Sequence, residues 1–301
     1  MISVLMLTYN RETLVSRAIE SILAQTYSDF EFIIIDNGST DHSGETADTY
    51  AEKDRRIRVI HRERGSISAG RNTAIDAARG EYIAFIDDDD WVEPDFLIFL
   101  LNLLLENDSD VSICGTSDKA FPNVKMVMTP EEAVIELLRR KKYNTGFPTK
   151  LFRREIINSI RFPECAAYDD IAVMYRLLSI SKWISYHGSP KYNICRHSGN
   201  QSSWTTNHQL ISPDILDEYL QAYRTRTEWL CKKFPQKVKT LRYYELSFMI
   251  SMVEKIQRLQ ISACQHQLAY MKTELAANKE TFLSSPETLD FEKEWIDKYI
   301  N

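Results

Sequence analysis

The sequence predicts an α/β protein, a mostly parallel sheet with flanking helices followed by a helical C-terminal region. Three observations carry this. Short apolar, β-rich runs recur about one βα unit apart in the first third, amphipathic helical patterns fill the gaps, and residues 209 to 301 read as mostly helical. The runs are "ISVLML" (2–7), "FEFIIID" (30–36), "IRVIH" (57–61), "YIAFID" (82–87) and "DVSIC" (110–114). Between the first two, "LVSRAIESILAQ" (14–25) sets Leu14, Ala18, Ile19, Ile22 and Leu23 on one helical stripe. Near-continuous apolar strands alternating with such helices imply parallel pairing with both faces covered. In sheets of this kind a ligand sits beyond the carboxyl ends of the strands, where strand order reverses. Three polar clusters fall at those ends: "TYNR" (8–11), "DNGSTD" (36–41) and the aspartates 87–90.

Composition narrows the function. Of 301 residues, 44% are hydrophobic and 27% charged, which excludes a disordered chain. A net charge of -6 lacks the positive excess of a nucleic-acid binder, so no nucleic-acid partner is expected. Five cysteines, with no CxxC pair, imply neither a zinc site nor a complete disulfide framework, and a reducing cytoplasm fits them. "MISVLMLTYNRE" reads as a first strand rather than a signal peptide, and no run of 18 apolar residues predicts a membrane span.

"YIAFIDDDDW" (82–91) ends a buried strand in four carboxylates. Adjacent acids repel one another, and partly buried ones are pushed toward protonation unless a cation or hydrogen-bond donors hold them ionised. The competing reading is an acidic turn before the helix that begins near Pro94, where acids complement the dipole. Residues 120 to 205 are less regular, with "YDDIAVMYRLL" (168–178) entering a helix. The helical region beyond is interrupted near Pro235 and around "SSPE" (284–287).

The succession "TYNR", "SILAQTYSDFEFIIIDNGSTD", "GSISAGRNTAIDAARGEYIAFIDDDDWVEPDFL", "KLFRREII", "IRFPECAAYDD" and "CRHSGNQSS" resembles the nucleotide-sugar-dependent family-2 glycosyltransferases of GT-A fold. The resemblance covers about residues 1 to 205 and rests on order and spacing together. It implies a GT-A domain over 1–205, with a nucleotide-sugar part (1–118) and an acceptor part (119–205), then a helical region (206–301) that resembles nothing nameable.

By that resemblance Asp87 and Asp89 form an Asp-x-Asp motif. Asp89 is assigned first to a Mn²⁺ or Mg²⁺ ion, and Asp87 and Asp88 to metal, ribose or sugar. A hard divalent ion between carboxylates and phosphates makes chemical sense of the acids. Thr8, Tyr9 and Arg11 are expected to border the nucleoside, with Tyr9 near the base. The family's usual acid after Asp36 is here Asn37, whose carbonyl still accepts from a uracil ring nitrogen without charge assistance. Asp36 is either a nucleoside contact or a residue that fixes the following turn. Arg71 and Asn72 match a position near the donor, although Arg71 also reads as a helix charge.

Transfer to a hydroxyl needs a base. The family's acidic pair at a helix start is here Asp169 and Asp170, with Asp170 expected as base and Asp169 as supporting or acceptor-binding acid. The alternative is a helix N-terminus enriched in acids. Leaving-group charge is assigned to Arg196 and His197, with Ser202 beside them. The stripe Leu241, Tyr244, Met249, Met252, Val253 and Ile256 reads as a face packed on neighbouring helices or on another copy of the chain. The sharper alternative is an interfacial face toward a lipid-linked acceptor, peripheral at the inner face of the cell membrane.

The resemblance thus implies an inverting, metal-dependent glycosyltransferase that uses a nucleotide sugar, a UDP-sugar by expectation, and a glycan or lipid-linked oligosaccharide acceptor. A non-catalytic nucleotide-sugar or glycan-binding protein of the same fold is the rival. A nucleotidylyltransferase would start with a glycine- and basic-rich loop after the first strand, which "TYNRET" is not.

Overall fold

The structure is a computed structural model that describes residues 1–118, 122–164, 169–197 and 210–300. It contains two compact units, Met1–Cys195 and Arg196–Asn301. The sequence places a boundary near 205. The expected parts 1–118 and 119–205 share one sheet over their described residues up to Asn193.

In the first unit β1 (Ile2–Thr8), β2 (Phe30–Asp36), β3 (Ile57–His61) and β4 (Tyr82–Asp87) are the expected runs. They pair in the order β3-β2-β1-β4, all parallel. The chain steps outward from β1 to β3 and then returns to the other side of β1, so strand order reverses between β1 and β4. Beyond β4 the sheet continues through β5 (Trp91–Val92), β6 (Val111–Thr116), β7 (Lys125–Met128), β8 (Lys150–Arg153) and β9 (Ile184–Asn193). Here β8 pairs antiparallel with β4 and β6, while β6 and β9 are parallel. The result is a mixed, mostly parallel sheet with flanking helices.

Helix α1 (Val15–Leu23) buries Val15, Ala18, Ile19 and Ile22 in one cluster with Ile2, Val4 and Met6 of β1. Ala18, Ile19 and Ile22 of the expected stripe are core, Leu23 is partly buried against it, and Leu14 is the N-cap residue, with Val15 buried in its place. Helix α2 (Ser43–Lys53) covers β3, and α3 (Ile67–Ala77) lies on β1. The approach of α3 depends on Gly70, where a Cβ would stand 2.3 Å from Leu7 Cδ1. Helix α4 (Phe96–Leu105) buries Phe96, Leu97, Leu100 and Leu104 in the cluster that holds the α1 face. Helices α5 (Pro130–Arg139), α6 (Arg154–Asn158) and α7 (Asp169–Ile180) complete the unit over its described residues. A Thr129–Glu132 capping box starts α5.

The second unit holds α8 (Pro213–Lys233), α9 (Val238–Arg258), α10 (Gln265–Ala277), α11 (Lys279–Leu283) and α12 (Asp290–Tyr299) among its described residues. Its breaks at Pro235–Lys237 and after Leu283 fall where the sequence interrupts the pattern, while those at 259–264 and at Asn278 are not among the expected ones. Helix α9 packs against α8, α10 and α12 and buries Leu241, Met249, Met252, Val253 and Ile256 of the expected stripe. Tyr243 is buried where Tyr244 is only partly so. Among the described residues no helix is long and apolar enough to cross a membrane.

Candidate active site

Sheet register gathers the three polar clusters. Thr8 is paired with Asp36 across β1 and β2, and Leu7 with Asp87 across β1 and β4. The carboxyl ends of all three strands therefore lie along one edge, at the point where strand order reverses. This is where an open α/β sheet accommodates a ligand.

The turn after β2 is built by its own side chains. Asp36 accepts from Ser39 N at 3.0 Å and lies 2.9 Å from His61 Nδ1, so both of its oxygens are engaged. Burial acts to raise the Asp36 pKa, but the Ser39 and His61 hydrogen bonds outweigh it and hold the group below its ordinary value. His61 is correspondingly raised, first by its hydrogen bond to Asp36 and then by Asp48. Asn37 N donates to Thr8 O at 2.9 Å. The Asn37 side chain donates through Nδ2 to Gly65 O at 2.9 Å, which leaves Oδ1 buried without a hydrogen-bond partner among the described residues. Gly38 takes a φ of +79°, and a Cβ there would stand 2.6 Å from Arg64 N. That close approach brings in Arg64, whose guanidinium carbon lies 3.3 Å from the centroid of the Tyr9 ring.

The four aspartates have separate surroundings. Asp88 accepts from Tyr9 N at 3.2 Å and lies 3.6 Å from Arg11 Nε, tying the end of β1 to the end of β4. The Asp89 carbonyl accepts from Arg17 at 2.6 Å, and Arg17 also lies over the Trp91 ring. Asp90 is buried and accepts from Cys195 N at 2.7 Å. Asp87 keeps open surface on one side, yet the chain crowded around it raises its pKa to about 6. Arg71 opposes that rise, and the charges of Asp89, Asp169 and Asp170 add to it. Asp88 is pushed up to about 7 and Asp90 to about 8, burial being the largest cause in both.

Arg71 stands at the centre. Its Nη1 donates to Asp169 Oδ1 at 2.6 Å, and its Nη2 lies 4.0 Å from Asp87 Oδ1. It caps the adjoining rings of Phe147 and Phe162, whose centroids are 4.7 Å apart, at 5.6 and 5.5 Å from them. Ser68 adds a hydrogen bond to Asp169 at 3.3 Å, and Asn72 spends its amide on the Phe162 backbone. Asp169 is buried, which raises its pKa against the pull of Arg71. Asp170, the next residue, has no ion pair among the described residues; it accepts from Thr145 Oγ1 at 2.9 Å and from Ile171 N at 2.8 Å.

The acids at 87 and 89 suit a hard divalent cation. Their donors are carboxylate oxygens near enough for Asp89 to raise Asp87. No group of three metal-ligating side chains occurs among the described residues. Two carboxylates without a closed cage fit an ion that keeps water and takes phosphate oxygens.

Thr8, Tyr9, Arg11, Asp36, Asn37, Arg71, Asp87, Asp88, Asp89, Asp169 and Asp170 all belong to the first unit, and the strand register and the Arg71 contacts link the three strand ends to α7. Arg196 and His197 open the second unit, the first exposed and the second partly buried. Ser202 lies outside the described residues. Sequence reasoning missed Arg17, Arg64 and Thr145, which carry no motif of their own. Lys150 opens "KLFRREII", where no spacing marks it for a role.

The family model described as "Glycosyl transferase family 2" matches residues 3–174. Glycosyltransferase GlyG of Streptococcus pneumoniae serotype 4 is 31% identical over 276 residues, which span 82% of this chain and 91% of that one. The crystal structure of S. aureus TarS 1-349 in complex with UDP-GlcNAc superposes with a TM-score of 0.63 at 19% identity, covering 93% of this chain and 89% of that one. The mannosyltransferase PcManGT from Pyrobaculum calidifontis, in complex with GDP-Man and Mn²⁺, gives a TM-score of 0.60 at 15% identity over 99% of this chain and 84% of that one. At those identities the two structures show a shared GT-A-like fold.

Proposed function

The chain belongs to glycosyl transferase family 2 and is a glycosyltransferase, and from that premise we propose that it moves a sugar from a UDP-sugar to a hydroxyl of a glycan or lipid-linked acceptor with inversion. The observation that carries the reading is the bridge made by Arg71. It joins Asp87, at the donor end of β4, to Asp169 at the start of α7, and leaves Asp170 beside it with no ion pair among the described residues.

In this reading the nucleoside lies beyond β1 and β2, with its base on the Tyr9 ring and its ring nitrogen donating to Asn37 Oδ1. The unpartnered buried carbonyl supports this, because such an acceptor costs about 1–3 kcal/mol until a donor reaches it. Asp36, with both oxygens engaged, holds the turn that presents Asn37. Asp87 and Asp89 hold a Mn²⁺ or Mg²⁺ ion, which when bound neutralises the diphosphate. Asp170 takes the acceptor proton while the acceptor oxygen bonds to the anomeric carbon from the face opposite the departing diphosphate. Arg196 and His197 are proposed to meet the charge on the leaving group. A cytoplasmic site of action, within reach of lipid-linked acceptors at the inner face of the membrane, belongs to the same proposal.

A donor-hydrolysis screen over UDP-, GDP- and dTDP-sugars with Mn²⁺ tests the reading without a known acceptor. Turnover of a UDP-sugar is expected. Nucleotide binding without turnover of any donor would favour the binding-protein alternative, and preference for a GDP-sugar would overturn the base assignment.

A further inference from the structure

The segment 144–149, "NTGFPT", carries a set of features that general stability does not call for. Thr149 adopts a φ of +83°. A β-branched residue in the left-handed region is strained, and such strain persists only where the surroundings over-determine it. The surroundings do so here: Thr149 is buried, and its carbonyl accepts from Cys114 N at 2.9 Å within the sheet. Lys150, the next residue, is fully buried, and its Nζ donates to Gly146 O at 2.5 Å. Burial drives the Lys150 pKa down to about 7, against the pull of Cys114 and Asp170. The far end of the segment is closed by Asn144, whose side chain accepts from Gly146 N at 3.0 Å. Phe147 lies at full burial between these anchors, edge-on to Phe85 and close to Phe162.

A rigid segment held this way presents two groups to the site. Phe147 lies under the Arg71 guanidinium, and Thr145 gives its hydroxyl to Asp170 Oδ2 at 2.9 Å. A buried lysine is costly, and Lys150 gives its ammonium to this segment, to the Gly146 carbonyl and, at 3.4 Å, to Thr149 Oγ1. The carbonyl belongs to the residue directly after Thr145.

We infer that 144–149 is the positioning element of the proposed base, with Thr145 orienting the Asp170 carboxylate and Lys150 fixing the turn from which Thr145 reaches it. The inference rests on Asp170 being the base. Asp170 has two carboxylate oxygens: Oδ1 is fixed by Ile171 N at 2.8 Å, and the Thr145 bond settles the direction of the other. Thr145 is thus a positioning residue that need not touch either substrate.

The test compares Thr145→Val, which keeps the shape and removes the hydroxyl, with Thr145→Ser, which restores it, in the full-length protein. The assay is hydrolysis of the UDP-sugar the protein turns over, with Mn²⁺, alongside calorimetric UDP–Mn²⁺ affinity and thermal melting. Expected is a fall of about tenfold in kcat for Thr145→Val, the scale of one hydrogen bond to a charged group. Donor affinity and melting temperature stay parental, and Thr145→Ser recovers most of the rate. Parental kcat in Thr145→Val overturns the inference, as does a Ser variant no better than Val. Asp170→Asn, run in parallel, separates the two levels: if it keeps the parental rate the base assignment itself fails, and if it is inactive while Thr145→Val is unaffected only the positioning role falls.

Discussion

Arg71 Nη1 and Asp169 Oδ1 stand 2.6 Å apart, and through that pair α3, which packs on β1, is fastened to the first residue of α7. Both side chains are largely enclosed, at 16% and 8% exposure. Removing one partner of a buried pair typically costs about 3–5 kcal/mol, because the other charge is left without compensation. Asp87, at 4.0 Å, compensates Arg71 in part. Asp169→Asn is therefore expected to lower stability by about 2–4 kcal/mol, read from urea unfolding, while its transfer defect stays smaller than that of Asp170→Asn. An unchanged unfolding midpoint would show that the pair is dispensable.

A metal prediction follows from the acids at 87 and 89. Asp89→Asn should abolish donor turnover and remove the Mn²⁺-dependent tightening of UDP binding. Calorimetry of the folded variant with and without Mn²⁺ decides it, and an undiminished metal effect contradicts the assignment.

Base preference should follow Asn37. With Oδ1 as the acceptor of a pyrimidine ring N–H, UDP binds more tightly than GDP, and Asn37→Asp keeps or strengthens that order by adding charge to the bond. Competition binding in which GDP wins would refute it.

The His61–Asp36 contact predicts a pH dependence of stability. The folded pKa of His61 is raised, so its contribution is fully present below the unfolded value of about 6.5 and is lost as pH climbs through the folded value. Melting temperature should therefore fall more steeply from about pH 6 to about pH 8 in the parent than in His61→Gln. His61 is half exposed, so the difference is small. Parallel melting curves for the two proteins would show no linkage at this site.

How much was legible depended on how each element is encoded. The first four strands announce themselves because both faces are buried and the runs are continuously apolar. The later strands do not. β5 has two residues, β7 is half exposed, and β9 reads "ISYHGSPKYN", polar and broken by Pro190 where the ladder with β6 shifts register. Proline is tolerated at such irregularities, so the pattern gives no strand signal. In the site, the acids stood out because adjacent like charges demand a reason. Thr145 did not, since its contact with Asp170 spans 25 residues and a lone threonine hydroxyl has no spacing rule. Arg71 was visible as a site residue, but its engagement with two acids required the register of β4 and the start of α7.

The proposed transfer turns on Asp170. A base acts on the acceptor proton and gains its value as that proton moves, so its loss should leave donor binding intact. The deciding measurement is the transfer or hydrolysis rate of Asp170→Asn beside its UDP–Mn²⁺ affinity and melting temperature. A rate lower by about 10²–10⁴ is expected, with affinity and melting temperature at parental values. A folded Asp170→Asn protein that binds UDP and Mn²⁺ and turns over donor at near the parental rate would contradict it.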